Sequence, residues 1–158
     1  MKSNKLALIA LLIWLATVAV FAWFFIRGNT VAGNDGRTAV VLQAGERDLI
    51  LSEMRGMLAA TQGILDGANN GDMQHISQAA RAAGMAVTVD ASPVLMAKLP
   101  LELKRLGMSV HRDMDDIATA AEKGRSPAEI LKMTSGVLAK CVACHATWQI
   151  RLANQDRQ

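Results

Sequence analysis

Residues 6–26 run without a single charged side chain, with Lys2 and Lys5 before them and Arg27 after. At the rise of a helix, this stretch covers roughly 30 Å, about one hydrocarbon core. Trp14 lies mid-span and Trp23 near the exit, where an indole suits the membrane interface. A cleaved signal peptide would have a shorter apolar region ending in small residues. Here Phe21, Trp23, Phe24 and Phe25 occupy the far end, so the expectation is an uncleaved N-terminal transmembrane helix over residues 1–27. The amine, Lys2 and Lys5 favour a cytoplasmic N-terminus, which puts everything after Arg27 on the opposite side.

Near the other end stand Cys141-Val142-Ala143-Cys144-His145. Cys-x-x-Cys-His is the attachment signature of a c-type haem. Each sulfur forms a thioether with a haem vinyl group, and the histidine supplies a nitrogen to the iron. On a helix these positions are three and four apart, so all three side chains share one face. The chain has two cysteines, and both are in the motif. A cysteine pair can also form half of a zinc site or a redox dithiol. Zinc would need a fourth ligand from His75 or His111, and a dithiol would need a strand–helix setting that the sequence does not suggest. Covalent haem attachment takes place outside the bacterial cytoplasmic membrane, which agrees with the orientation read from the lysines.

The formal charge of +3 misleads, because residues 1–27 carry three bases and no acid. The remainder has 14 basic and 14 acidic residues, so nothing suggests nucleic-acid binding. Beyond Arg27, Trp148 is the only Phe, Tyr or Trp. A core built there must use Leu, Ile, Val, Met and Ala, and a buried porphyrin would supply apolar bulk.

Residues 28–44, rich in Gly, Asn and Asp, read as a flexible tether, and 45–158 as the domain. Helical periodicity predicts a first helix over residues 45–66 with Leu51, Met54, Leu58, Thr61 and Leu65 as its seam. A second helix starts after the N-cap Asp72, with Met73, Ile76, Ala80 and Val87 on its face. Val87-Thr88-Val89 favours extended backbone. A helical turn opens at Ser92-Pro93 and is interrupted at Pro100. A third long helix runs to Lys123, with Leu103, Leu106, Val110, Met114, Ile117 and Ala121 as its stripe. Ser126-Pro127-Ala128-Glu129 is a capping box that starts a fourth helix, predicted to reach Leu152. Ile130, Thr134, Val137, Leu138, Cys141, Cys144, His145 and Trp148 share one side of it.

Four amphipathic helices with the motif near the C-terminus resemble the class II cytochromes c, that is, cytochrome c prime and its low-spin, methionine-ligated relatives. The resemblance implies an all-α fold, an antiparallel four-helix bundle holding one covalently attached haem c. Trp148 matches an aromatic residue common three positions after the family's histidine; Gln149 stands where a base is usual. In the family's first helix an arginine precedes, by four residues, the residue facing the open side of the iron. The match falls on Arg47 and Leu51, which gives a five-coordinate iron. A one-turn slip brings Met54 there as sixth ligand. Met108 and Met114 are weaker candidates. His111 reads as a surface histidine.

Two functions follow from the two coordination states. With His145 and Met54 on the iron, the protein carries electrons on the periplasmic face of the cytoplasmic membrane, exchanging them with redox partner proteins. With His145 alone, an apolar distal pocket admits nitric oxide or carbon monoxide. The family often dimerises, so a homodimer is a further expectation. No enzyme constellation is visible; the acids Asp113, Asp115 and Asp116 fit a solvated helix face.

Overall fold

A computed structural model describes residues 2–153; the last five residues of the expected domain lie outside the described residues. Among these the chain is mostly helical, with six α-helices, and the first is apolar. α1 spans Lys2–Arg27, and its Asn4–Arg27 portion is long and apolar enough to cross a membrane and is not buried against the rest of the protein. Then come β1 (Thr30–Ala32), β2 (Thr38–Leu42), α2 (Ala44–Asn70), α3 (Met73–Arg81), a 3-10 turn (Met85–Asp90), α4 (Pro93–Lys98), α5 (Leu101–Glu122), α6 (Pro127–Thr147) and β3 (Trp148–Leu152).

Local chemistry sets most boundaries. α2 begins with a capping box between Gln43 and Glu46 and stops at Gly71, whose φ of 70° turns the chain in the left-handed region. Asp72 caps α3, accepting from His75 N–H at 2.9 Å. Ser126 and Glu129 form the capping box of α6, with Pro127 in its first turn.

α2 packs on α3 and α6, and α5 packs on α3 and α6, so these four helices enclose one core. Ile64, Ile76, Met114, Ile117, Ile130 and Val137 are fully buried in it. α5 buries its predicted stripe from Val110 to Ala121. α2 is rotated relative to its predicted seam: Ala60, Thr61, Ile64 and Ala68 are buried, while Leu58 is 71 % exposed and Leu65 45 %. The cause is close approach to α3. A Cβ at Gly63 would lie 2.8 Å from the Ala79 Cβ, and one at Gly67 would lie 2.7 Å from Ile76. The small face lets the backbones meet, and the leucines are left on the flank.

Three expectations change. Residues 28–44 do not form a tether: they build a hairpin, β1 antiparallel to β2. Val87-Thr88-Val89 lies in the 3-10 turn rather than in extended chain. The fourth helix stops at Thr147, and Trp148–Leu152 becomes β3, parallel to β2, with Thr38 opposite Trp148 and Leu42 opposite Leu152. Alternating apolar residues at 148, 150 and 152 suit a strand once β2 offers an edge. A second apolar cluster lies under this sheet, made of Val40, Leu42 and Leu95 with Ile50, Leu99, Leu103, Trp148 and Ile150.

The end of α1 is bound to the same region. Asn29 N–H donates to Lys98 O at 2.7 Å, and the buried Lys104 ammonium donates to Phe25 O at 3.1 Å. That ammonium also lies 3.7 Å from the centre of the Phe25 ring. Burial pulls the Lys104 pKa below the ordinary lysine value.

Candidate haem-attachment site

Cys141, Cys144 and His145 occupy the last two turns of α6. Both cysteines are free and half-buried; His145 is exposed. Four contacts hold this end of the helix. Trp148 N–H caps it by donating to Cys144 O. Arg37, from the β1–β2 loop, donates to His145 O at 3.2 Å and is itself paired with Asp35 at 2.6 Å. Gln149 donates to the same Asp35 at 3.0 Å. Lys140 pairs with Asp113 of α5 at 2.6 Å.

Burial raises the pKa of both thiols, and Cys141 adds repulsion to Cys144. A redox dithiol is arranged the opposite way, with its thiolate favoured at a helix N-terminus. His75 is beside Asp66 at 3.8 Å, by the α2–α3 turn. Among the described residues no group of three or more His, Cys, Asp or Glu side chains is placed to hold a metal ion.

The Lys140–Asp113 pair links α5 and α6, which run antiparallel. Ala120 and Met133 line one surface hollow of about 350 Å³ between them, toward the α5–α6 turn. That hollow is away from the motif.

At the motif end the helical core loses its cover. α2 buries no residue before Ala60, α6 none after Val137, and α5 none between Lys104 and Val110. The apolar residues continue nonetheless: Leu51, Met54, Met57 and Met108 are half-buried, Leu138 is 41 % exposed and Val142 69 %. Gly107 continues the buried α5 stripe, and a Cβ there would meet nothing within 4 Å. Incompletely covered apolar side chains beside two thiols and an imidazole suit a large flat apolar group. The residues present therefore fit a haem.

Arg47 lies in the first turn of α2, 3.3 Å from Asp48, and Leu51 follows one turn on. Met54 is half-buried on the flank that Leu58 and Leu65 share. Trp148 packs under the sheet, against the Val40–Leu42 cluster, instead of continuing the α6 face. One group escaped the sequence reading, and one was read as a surface residue. Glu53 joins the true core stripe of α2 at spacing 53, 57, 60, 64, which the rotated seam conceals. Burial pushes its carboxyl above the usual range, against the opposing charge of His111. His111 itself is partly buried, its Nδ1 2.9 Å from Ala83 O.

Compared with known protein families, curated proteins and solved structures, the chain matches none significantly.

Proposed function

We propose that this chain is a membrane-anchored, mono-haem c-type cytochrome that carries electrons on the periplasmic side of the cytoplasmic membrane. α2, α3, α5 and α6 would be the four helices of a class II cytochrome c bundle. The carrying observation is a coincidence of place: the Cys-x-x-Cys-His turn lies where the apolar helical layer stops being buried. Cys141 and Cys144 would hold the haem covalently, each thiol adding its S–H across one vinyl double bond with no leaving group. His145 gives its ring nitrogen to the iron, and its place in the last turn of α6 suits positive charge near the imidazole. Bound haem supplies a one-electron Fe(III)/Fe(II) couple.

α1 supplies the anchor, and the lysines before it set the N-terminus in the cytoplasm. The binding of α1 to α4 and α5 supports a haem held at fixed height rather than swung on a tether. Lys104 precedes Met108 by four residues, about 6 Å along α5. β3 follows the motif directly and pairs with β2, which pairs with β1 just after α1, so the motif would be close to where the chain leaves the membrane, which favours a membrane-resident electron partner.

The test is expression of the full chain in cells with haem-maturation machinery, followed by fractionation and a haem stain on a denaturing gel. Covalent haem in the membrane fraction, with a reducible visible spectrum, is the expected result. A chain that accumulates in the membrane without haem overturns the proposal.

A further inference from the structure

Resting on that reading, we infer that the haem lies in a layer between the two apolar clusters, its ring meeting α5 at Gly107. The core stripes of three helices run from one cluster to the other. On α2, Met57 packs with the helical core and Ile50 with the cluster under the sheet. On α5, Val110 belongs to the first and Leu103 to the second. On α6, Cys141 joins the first, and Trp148, directly after that helix, joins the second. Between the clusters each stripe has one inward position: Glu53, Gly107 and Cys144. Each lies seven residues from a buried core residue, respectively Ala60, Met114 and Val137. Seven residues make close to two full turns, so the three positions face the way those core residues face.

These three residues do not build a protein core at that layer. Gly107 has no side chain, Cys144 is small, and Glu53 brings a carboxyl where a core would carry an apolar group. All three are half-buried. Protein interiors are close-packed, so bulk is withheld from a core stripe where another body packs. Gly107 shows this most directly: a Cβ there would meet nothing within 4 Å, although the position is partly covered. Gly56 of α2 and Gly136 of α6 also meet nothing, but both are exposed, and their open side faces solvent. A glycine on an inward stripe lets a flat group approach the helix backbone closely. A ring fixed to Cys141, at the edge of the first cluster, and to Cys144, within the layer, would enter it from α6. Apolar side chains then bound it on both sides, and the bare backbone at Gly107 gives it width.

The experiment uses the full-length, haem-loaded chain in detergent, with Gly107→Ala, Gly107→Leu and, as a control, Gly136→Ala. Covalent haem per chain, visible spectra and urea midpoints are recorded. Alanine ordinarily stabilises a helix relative to glycine. Gly136→Ala should therefore raise the midpoint and leave the spectrum as in the parent. Gly107→Ala should instead lower the midpoint and shift the Soret band, because its methyl presses on the ring. Gly107→Leu should accumulate in the membrane with covalent haem per chain reduced about tenfold or more, since an inserted side chain overfills the layer. The spectrum decides: a parental Soret band in Gly107→Ala overturns the inference even beside a lowered midpoint. So does Gly107→Leu with parental haem content and spectrum. Should Gly107→Leu not accumulate, Gly107→Ala decides alone. Absence of covalent haem in the parent is a different result: it removes the cytochrome reading itself and this inference with it.

Discussion

Gly28 turns the chain as it leaves α1, with φ at +66°. A Cβ there would lie 2.5 Å from Lys98 O and 2.6 Å from Pro100 N, both rigid backbone. Left-handed backbone costs an L-residue about 1–2 kcal/mol before any clash is counted. Gly28→Ala should therefore lower unfolding stability by at least about that much, read from urea midpoints in detergent. A change near zero would mean that the junction is looser than drawn. At the motif, Cys141→Ser and Cys144→Ser should each leave one thioether, and the double variant none. Haem staining on a denaturing gel checks this: full staining of the double variant would sink the thioether assignment.

Glu46 links two elements. It closes the capping box of α2 and pairs with Lys98 of α4 at 2.5 Å. Its bond to Lys98, followed by the one from Gln43 N–H, holds its carboxyl below the usual glutamate range. Between the depressed folded pKa and the ordinary unfolded one, the unfolded chain binds the extra proton, so stability rises with pH there. The contribution is present above the ordinary glutamate pKa and is lost as acid carries the pH down through the folded value. Glu46→Gln should flatten this dependence. Urea midpoints from pH 3 to 6 test it, and parallel curves for the two proteins would reject it. On α6, Ser126→Ala removes a cap that accepts from Glu129 N–H and should cost about 1 kcal/mol. The same denaturation series measures that cost.

For the whole molecule, the hairpin replaces a tether and binds α1 to the domain. Arg37 is occupied by Asp35 and His145 O, and Asn29 Nδ2 donates to Val41 O at 2.8 Å. Trypsin should then cut after Arg27 or Arg37 no faster than the folded domain opens. Rapid release of an intact domain by cleavage at either site would restore the swinging tether. A fixed mounting also implies that the motif end of the domain is the end next to α1, with the α5–α6 turn away from it.

The sequence alone determined what depends on short range. Charge-free length over residues 6–26 marked a helix long and apolar enough to cross a membrane, because a helix satisfies its own backbone bonds without a partner. Asp72, Ser126 and Pro127 marked helix starts, since a cap acts within one turn. Spacing in residues 141–145 put two thiols and an imidazole on one helical face. Tertiary structure decided everything that required a second element. Residues 28–44 and 148–152 become strands because β2 and β3, more than a hundred residues apart, pair with each other. The α2 face is chosen by small residues meeting α3, which hides Glu53 on the core stripe and leaves Leu58 outside. His111 looked like a surface residue because its partner, Ala83 O, is a backbone atom 28 positions away. Backbone carbonyls carry no sequence signature, and only the packing of α3 on α5 brings that one to the ring.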